Sequence, residues 1–457
     1  MIQFSYRNFK SSSDRQALLK VLLEKEGLAT SSQIPGVDRE NGQYLPLSNA
    51  QQQFWLLEKL NPGSPLYNLP YPIEIEGSLD VEVLKQSFDA IIHRHEILRT
   101  TFSTVDSKPV QIISSKMPLS LPIIDLQHLG LVEQEREIKR LTLQHVQKSF
   151  DLKTDLLLSI CLLQLSQTKS LLLLNVHHII FDGWSFNLLL QELEVFYQKF
   201  SLGLAPNLPE LSIQYADYAL WQQQQRSNLE SQLTYWKEQL LGAPPLLDLP
   251  SDRPRPSTPS FRGAVQSFEL SRSLCEALER LSQSEGVTLF MTLLAAFKSL
   301  LHRYTGACDL LIGTPFAQRK QNEIQNLIGP FINTVVLRTR FEDEPNFRQV
   351  LQRVRQSVLD AEANQDIPFE QLVQTLQPQR DPSYNPLFQV MFVLQNAPLT
   401  ASKVADLTFS PKLSDSGISK FDLTLELAAS SEHGTSGWFE YNTDLFDSST
   451  IERRAEQ

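Results

Sequence analysis

A pair of adjacent histidines follows directly on an apolar stretch, in the run His177-His178-Ile179-Ile180-Phe181-Asp182-Gly183. Residues 157–166 and 171–176 are two apolar runs joined by a short polar segment, which predicts a β-hairpin whose second strand ends at the histidines. Beyond the run, apolar residues recur at steps of three and four, and this spacing predicts a core-facing helix that begins near Ser185 and ends before Gly203. The sequence therefore predicts a buried strand, a tight loop and a helix.

Three interpretations of the histidine pair follow from this local context. A metal site is disfavoured, because adjacent side chains splay apart whereas zinc ligands come from helix-spaced or separate elements. Both residues could instead be hydrogen-bonded core histidines without a chemical role. A general base is the third interpretation, since the pKa of histidine lies near operating pH. Neighbouring side chains of an extended stretch point to opposite faces, so only one of the two histidines can face a given cavity.

The composition is that of a large globular protein and argues against several classes of partner. With 457 residues, 41% of them hydrophobic and 20% charged, the chain is long enough for two or three domains. The net charge of −11 argues against a surface for nucleic acid or anionic membranes, which needs a basic face. No apolar run approaches the ~18 residues of a membrane span, and the N-terminus lacks the apolar core of a signal peptide. We therefore expect a cytoplasmic protein whose three cysteines are reduced core thiols.

The pattern along the chain predicts two lobes joined by a proline-rich crossing. Residues 1–43 are expected to form a leader that serves as a linker or docking segment, and Ser48 then opens a helix with a capping box. Six prolines between positions 244 and 259 break helices and strands and suit an extended crossing between lobes. Helical and strand patterns occur on both sides, which predicts an α/β (α+β) fold with lobes at residues 44–225 and 226–457.

Seven motifs, in order, resemble those of the condensation domains of nonribosomal peptide synthetases over roughly residues 44–457. The histidine run, continued by Trp184 and Ser185, is the third of them. The other six are residues 48–55 (SNAQQQFW), 94–102 (RHEILRTTF), 215–221 (YADYALW), 328–334 (IGPFINT), 364–370 (NQDIPFE) and 380–387 (RDPSYNPL). Gln53 and Tyr384 stand where the family usually has arginine, and neither departure touches an expected catalytic residue.

The resemblance implies a fold and a set of partners. Each lobe is expected to resemble a chloramphenicol acetyltransferase monomer, and the two lobes to form a V-shaped pseudo-dimer with a central tunnel. An upstream donor and a downstream acceptor carrier protein would each push a phosphopantetheine arm into this tunnel, so the domain needs no bound cofactor or metal of its own. The chain is expected to be a monomeric piece of a longer synthetase with an adjoining adenylation domain.

Peptide-bond formation is the reaction that the resemblance implies: an aminoacyl or peptidyl group leaves the donor thioester for the amine of the acceptor. His178 matches the family's second histidine and is the expected catalytic residue, either as a base for the amine or as a hydrogen-bonding group for the tetrahedral intermediate. His177 is expected to shape the loop. Gly183 is expected to adopt a backbone conformation that side chains would hinder, and its N–H is a candidate donor to the reacting oxygen.

The remaining site residues have structural or lining roles in this interpretation. Asp182 is treated as structural in the family, and a buried carboxylate needs a partner. Arg319 matches the family's arginine after a Gly-Thr-Pro turn and is the candidate for that ion pair. The candidates for the tunnel or for the seam between the lobes are Trp184, Ser185, Tyr215, Asp217, Asn333 and Asn364.

Other functions share this fold. A free-standing acyltransferase would use the same motif on a soluble acceptor, an epimerisation domain would move a proton on one carrier-bound residue, and a non-catalytic recruiting domain typically lacks the second histidine. A heterocyclising relative would have Asp in place of His177. Residues 48–55, 62–68 and 380–396 resemble the subgroup that joins an L-configured donor to an L-configured acceptor, and we expect that stereochemistry here.

Overall fold

A computed structural model describes residues 34–37, 44–225, 229–378, 381–395, 401–404, 406–430 and 434–456. The helices are α1 (Asn49–Leu60), α2 (Val81–Arg94), α3 (Leu131–Val146), α4 (Gly183–Ser201), α5 (Tyr215–Gln224), α6 (Glu230–Leu240), α7 (Arg272–Glu285), α8 (Leu289–Thr305), α9 (Phe347–Ala363), α10 (Phe369–Leu376) and α11 (Ser448–Ala455). The strands are β1 (Tyr44–Pro46), β2 (Asn68–Glu76), β3 (Thr100–Val105), β4 (Lys108–Ile113), β5 (Ile123–Asp125), β6 (Leu158–Gln164), β7 (Lys169–His177), β8 (Gly263–Leu270), β9 (Asp309–Ala317), β10 (Ile332–Arg340), β11 (Val390–Gln395), β12 (Ser402–Val404), β13 (Leu407–Pro411), β14 (Leu423–Ser430) and β15 (Gly434–Asn442).

The first lobe is built on a six-stranded sheet in the order β12-β13-β2-β7-β6-β5. The predicted hairpin is present as β6 and β7, which pair antiparallel. Helices α2 and α4 contact each other and place their apolar residues in the core on one face of the sheet, while α3 packs near the other face. Since β7 is buried on both faces, its sequence is a continuous apolar run rather than an alternating one. A separate three-stranded sheet has the order β1-β4-β3.

The second lobe is built on a six-stranded sheet in the order β10-β9-β11-β14-β15-β8. β11 runs parallel to both β9 and β14, and the other neighbouring strands are antiparallel. Helices α8 and α9 pack against each other, and their apolar residues join those of the sheet in a second core. The mixed α/β fold and the two lobes predicted from the sequence are therefore present.

One strand pair from the second half of the chain belongs to the first lobe. β13 pairs with β2, from Thr408 opposite Glu76 to Pro411 opposite Ile73. Phe409 is 1% exposed and packs within the first core. The predicted division into residues 44–225 and 226–457 is therefore wrong for residues 402–411, because local patterns in a sequence do not encode which distant strand a short strand joins.

The proline-rich segment is not the crossing between lobes. Helix α6 precedes it and already contributes Trp236 and Leu240 to the second core. Within the segment, the backbone N–H of Leu247 donates to the side chain of Gln389 at 2.8 Å, so this stretch runs along the second lobe. The chain passes from the first core to the second between α5 and α6, close to the predicted boundary.

Part of the predicted leader packs on the first lobe. Ile34 is 4% exposed and lies in the first core, and the backbone N–H of Val37 donates to Asp217 Oδ1 at 3.1 Å. The prediction that residues 1–43 stand apart from the fold is wrong for residues 34–37, since a single isoleucine among polar neighbours carries no periodic signal. Residues 1–33 and 38–43 lie outside the described ranges.

Two further features bear on the expectations from composition. In the described ranges no single helix is long and apolar enough to cross a membrane; α7 and α8 together meet the length and composition requirement, but they are bent by 104°. The three cysteines are free, and Cys308 is exposed rather than part of the core.

Candidate active site

The histidine motif forms a strand end, a 3₁₀ turn and a helix N-terminus in succession. β7 ends at His177, residues His178–Ile180 form the turn, and α4 begins at Gly183 with Asp182 as its N-cap. The two histidine side chains occupy different environments: that of His177 is almost completely buried, whereas His178 is only partly covered. This difference is what an extended backbone with alternating side chains requires.

His178 is held in one orientation and one tautomer. Its Nδ1–H donates to the carbonyl oxygen of Phe181 at 2.7 Å, and its ring stacks on Phe54 with the centroids 4.4 Å apart. A carbonyl oxygen can only accept, so the proton lies on Nδ1 and the lone pair of Nε2 remains available. Burial, followed by the nearby charge of Lys420, lowers the pKa of His178 to about 4. The ring is therefore neutral at pH 7 and can accept a hydrogen bond from an N–H group.

His177 has the environment of a structural histidine. Its Nδ1 accepts a hydrogen bond from the backbone N–H of Ile179 at 3.1 Å and so caps the 3₁₀ turn. Burial, and then the charges of His178 and Lys420, lower the pKa of His177 to about 3. These contacts support the loop-shaping role expected from the sequence.

Asp182 bonds to helix α4 and to the segment that precedes β10, and its carboxylate does not orient His178. Its Oδ1 accepts from the backbone N–H of Ser185 at 2.8 Å and from the Ser185 hydroxyl at 2.6 Å. Its Oδ2 accepts from the backbone N–H of Phe331 at 3.0 Å. The Phe181 carbonyl, rather than a carboxylate, orients His178, so the site contains no histidine–aspartate dyad.

Arg319 lies where the sequence predicted an ion pair with Asp182. Its Nη2 is 3.3 Å from Asp182 Oδ1, and the two side chains are 3% and 2% exposed. Its Nη1 donates to the carbonyl oxygens of Ile324 and Leu327 at 2.7 Å each, and its guanidinium lies over the ring of Phe331. Acceptors therefore surround the two terminal nitrogens of this buried charge, whereas its Nε has no hydrogen-bond partner among the described residues. The side chain joins the histidine motif to the segment that precedes β10.

Gly183 does not need the conformational freedom predicted for it. Its φ is not positive, and an added Cβ would meet nothing closer than Gln395 Nε2 at 3.7 Å, which is an ordinary contact. That part of the prediction is wrong. Its N–H occupies the first position of α4, where N–H groups have no intrahelical acceptor, and it remains a candidate donor to an oxyanion.

Ser185 and Trp184 lie at the seam between the lobes. Ser185 is completely buried, and its hydroxyl accepts from the backbone N–H of Gly329 at 3.0 Å. Trp184 is 46% exposed, and its indole N–H donates to the carbonyl oxygen of Gln325 at 3.0 Å. Both residues therefore connect α4 to the second half of the chain.

Tyr215 is the central residue of this seam. Its hydroxyl donates to the carbonyl oxygen of Pro330 at 3.0 Å and lies 2.7 Å from the hydroxyl oxygen of Ser48. Gly329 has a φ of +155°, and a Cβ at that position would lie 2.1 Å from the Tyr215 ring. The close approach of backbone and ring therefore requires glycine at position 329.

Asp217 and Asn364 make hydrogen bonds at helix ends. Asp217 is 1% exposed and caps α5 by accepting from the backbone N–H of Gln214 at 2.7 Å. Asn364 ends α9, where its side chain donates to the carbonyl oxygen of Asp360 at 2.8 Å. Helix-end hydrogen bonds thus occupy both polar side chains, and the seam role of Asp217 and the tunnel role of Asn364 stay predictions.

Asn333 lines a small pocket at the seam, but its polar atoms are already bonded. Its Nδ2 donates to the carbonyl oxygens of Gln365 and Ile367 at 2.7 Å each. The pocket also contains Gln53 and Glu370, whose pKa burial raises to about 7. Asn333 therefore shapes the wall of this pocket and does not offer a free donor to a substrate. Among the described residues, no group of three or more His, Cys, Asp or Glu side chains could hold a metal ion.

Comparison with known proteins identifies the family. A model of the condensation-domain family matches residues 41–457. The chain belongs to this family. The domain is 47% identical to a linear gramicidin synthase of Brevibacillus parabrevis over 441 residues, which are 95% of this chain and 6% of that protein. It is 40% identical to phosphinothricin tripeptide synthetase PhsC of Streptomyces viridochromogenes, over 90% of this chain and 38% of that protein. The chain thus spans less than half the length of these curated relatives.

Solved structures share the fold. The X-domain from teicoplanin biosynthesis has a TM-score of 0.81 at 28% identity and covers 93% of this chain and 94% of its own. The first condensation domain of the calcium-dependent antibiotic synthetase, in complex with a substrate analogue, has a TM-score of 0.78 at 22% identity. The match covers 91% of this chain and 95% of that domain's chain. Condensation domains of nonribosomal peptide synthetases are acyltransferases that form amide bonds.

Sequence reasoning missed the side of this condensation-domain site that comes from the second lobe. Gln395 lies against Gly183, and Lys420 is near enough to lower the pKa of His178. Gln395 in turn donates to Glu426 Oε1 at 2.7 Å. The available signal was the alternation in β14, where Leu423, Leu425 and Leu427 face the core and leave Glu426 on the opposite face.

Proposed function

We propose that this condensation domain forms a peptide bond between two carrier-bound substrates. An aminoacyl or peptidyl group leaves the phosphopantetheine thioester of an upstream carrier protein for the amine of an aminoacyl thioester on a downstream carrier. The observation that carries the proposal is the neutral His178 with its tautomer fixed and its Nε2 free. The carriers and an adjoining adenylation domain would belong to the same cytoplasmic synthetase, in which this domain acts as a monomer.

Placement of the two substrates supplies most of the rate acceleration in this proposal. A thioester is already activated, so an amine held against its carbonyl carbon needs little further help. Oriented reactants reach effective concentrations of about 10⁵ to 10⁸ M. A positioned base adds typically about 10² to 10⁴ in rate. The phosphopantetheine arms remain on the carriers, and the domain provides the two lobes between which they meet.

His178 handles the proton that the new amide nitrogen loses. The amine attacks the thioester carbonyl carbon, the C–S bond breaks, and one N–H proton ends on the departing sulfur as a thiol. Nε2 accepts a hydrogen bond from the attacking amine and takes the proton as positive charge develops on nitrogen. Because the pKa of His178 is about 4, the protonated ring is a good acid and passes the proton on to the sulfur.

The N-terminus of α4 is the candidate site for the negative oxygen of the tetrahedral intermediate. Gly183 occupies the first position of this 19-residue helix, where the helix dipole is positive. A backbone N–H aimed at a developing oxyanion typically lowers the barrier by about 3 to 4 kcal/mol. The oxygen would therefore lie close to the same loop that positions His178.

A non-catalytic recruiting role is the second candidate function. It is favoured by the 28% identity to the teicoplanin X-domain, since an X-domain of that pathway is also solved in complex with OxyB. The orientation of His178 and its free Nε2 favour catalysis instead, because a recruiting surface gains nothing from a fixed tautomer.

One assay separates the candidate functions. The domain is incubated with a donor carrier and an acceptor carrier, each loaded with an amino acid, and the carriers are analysed by mass spectrometry. We expect a dipeptidyl acceptor carrier. An inverted donor would indicate epimerisation, a product on a soluble amine alone would indicate a free-standing acyltransferase, and unchanged carriers would indicate recruitment.

The proposed stereochemistry is an L-configured donor joined to an L-configured acceptor. Inverting the donor's α-carbon exchanges its hydrogen and its side chain, which moves the acyl carbon away from the attacking amine. A displacement of about 1 Å can cost about 10²-fold in rate. Paired assays with L- and D-aminoacyl donor carriers test this assignment, and a preference for the D-donor would refute it while leaving condensation standing.

A further inference from the structure

One face of the second-lobe sheet is polar. Leu425 and Phe439 are cross-strand neighbours in β14 and β15, and both lie in the second core. Because side chains alternate along a strand, the neighbouring pair Glu426 and Trp438 lies on the opposite face. Glu440 lies on this same face, two pairs further along, opposite Thr424. The sheet therefore presents carboxyl groups on the side that does not form its core.

This polar face lies against the histidine motif. Gln395 at the end of β11 approaches Gly183, where an added Cβ would be 3.7 Å from its Nε2. The same Nε2 donates to Glu426 Oε1 at 2.7 Å. Burial raises the pKa of Tyr71 on β2, and the carboxylates of Asp182 and Glu426 raise it further. The phenol of Tyr71 therefore lies near carboxylates from both lobes. Glu426 is therefore connected to the active-site loop through a single side chain.

The charged groups around Glu426 contain more acids than bases. Glu426 faces Gln395 and Tyr71, its hydrogen-bonding neighbour Trp438, and the charged side chains of Glu440 and Lys420. Lys420 also lies over the ring of Tyr67 in the first lobe, with Nζ 5.5 Å from the centroid. Burial raises the pKa of Glu426, raises that of Glu440 to about 7, and lowers that of Lys420. Two buried carboxyl groups share one ammonium, so a second cation is favourable at this place.

The acceptor substrate brings such a cation. The pKa of an α-amino group is about 8, so about nine-tenths of the acceptor is an ammonium ion at pH 7 and cannot attack a thioester. His178 is neutral and its Nδ1–H is bonded to the carbonyl oxygen of Phe181, so its ring carries no negative charge that would attract an ammonium ion. A carboxylate near the motif can both attract this group and receive its proton.

We propose that Glu426 binds the ammonium group of the acceptor aminoacyl thioester and takes one proton from it, so that His178 meets a free amine; this inference rests on the proposed condensation function. The step converts the ammonium and the carboxylate into a neutral amine and a carboxylic acid. Glu426 later returns the proton to water, and the amine attacks the donor thioester as described above. Gln395 holds the carboxylate toward Gly183 in both protonation states, because its amide can donate to a carbonyl oxygen as well as to a carboxylate.

The test compares Glu426→Gln with wild type on two acceptors, in the full domain with loaded carriers. The first acceptor carries an ordinary α-amine, and the second carries an α-aminooxy group, which is already neutral at pH 7. We expect Glu426→Gln to lower kcat/KM about 10-fold on the amine at pH 7, because about one-tenth of that acceptor is neutral without help. At pH 9 the amine is mostly neutral, so the variant's kcat/KM on it should approach that of wild type. The variant should use the aminooxy acceptor at the wild-type rate.

Glu269→Gln is the matched control, since Glu269 lies at the exposed end of β8 in the same sheet and loses the same charge. It should leave kcat/KM unchanged. An equal loss on both acceptors, or no loss on either, would overturn the role of Glu426. Absence of product from wild type with every acceptor would instead overturn the condensation function. If Glu426→Gln does not fold, Glu426→Asp, whose carboxylate is one methylene too short, should show the same discrimination between acceptors.

Discussion

The two adjacent histidines lie in different environments, and the sequence was sufficient to predict this difference. Alternation along an extended backbone allows one ring to be buried while the other faces the space between the lobes. The tautomer of His178 could not be predicted, because the acceptor for its Nδ1–H is a backbone carbonyl three residues away. The low pKa of His178 could not be predicted either, because it depends on burial and on Lys420 in the other half of the chain.

The two histidines of the motif make the stability of the domain depend on pH. The pKa of His177 is lowered to about 3 and that of His178 to about 4, whereas an unfolded histidine has a pKa near 6.5. At pH values between the folded and the unfolded pKa, the unfolded state binds more protons than the folded state. The free energy of unfolding is therefore highest above about pH 6.5 and falls as the pH drops toward 4.

Denaturant unfolding of wild type and His177→Asn at pH 7.5 and pH 5 measures this effect. Asparagine keeps an acceptor for the Ile179 N–H but does not titrate. We expect a smaller loss of unfolding free energy between the two pH values in the variant. An identical loss in both proteins would show that His177 does not contribute.

The ion pair between Asp182 and Arg319 should be essential for folding. Removing one partner leaves the other charge buried at 2–3% exposure, which typically costs about 3 to 5 kcal/mol. We expect Asp182→Ala and Arg319→Ala each to lower the unfolding free energy by that amount. Arg340→Ala, at an exposed position at the end of β10, should change it by less than about 0.5 kcal/mol. Native stability in both buried variants would contradict the pairing.

At the level of elements, the strands and helices with a strong local pattern could be predicted, and their long-range partners could not. The β6–β7 hairpin and helix α4 follow from alternation and from three- and four-residue spacing. The contribution of β12 and β13 to the first-lobe sheet has no local signal, since those strands are short and their partner lies more than 300 residues earlier in the chain.

Strand β13 should stabilise the first lobe although it comes from the second half of the chain. Phe409 on β13 is 1% exposed and meets Tyr197 of α4 edge-on. We expect Phe409→Ala to cost about 3 to 5 kcal/mol of unfolding free energy. Leu413→Ala, at a side chain that is 48% exposed two residues beyond the strand, should cost little. Equal effects of the two substitutions would argue against a structural role for this strand.

For the whole molecule, the two-lobed architecture could be predicted, and the way the lobes are tied together could not. The seam depends on Tyr215, Arg319 and Gly329, whose contacts join parts of the chain more than 100 residues apart. Residues in such contacts are polar or small and break the local hydrophobic pattern, so a pattern-based interpretation assigns them to loops or to substrate binding.

The N-terminal residues that pack on the first lobe give a further prediction for the whole chain. Deleting residues 1–33 should leave the melting temperature unchanged, whereas deleting residues 1–40 also removes Ile34 and Val37. Burial of one isoleucine side chain is worth about 1.5 to 3 kcal/mol, so the longer deletion should lower stability measurably. Thermal unfolding of the two truncated proteins makes the comparison. Equal melting temperatures would show that residues 34–37 contribute nothing.

The central claim is that His178 promotes amide formation between two carrier-bound substrates. It is tested most directly by single-turnover kinetics with saturating loaded carriers, comparing wild type with His178→Ala. We expect the rate of dipeptide formation to fall by about 10² to 10⁴ while the variant keeps the wild-type melting temperature within a few degrees. A folded His178→Ala variant that forms dipeptide at the wild-type rate would contradict the account.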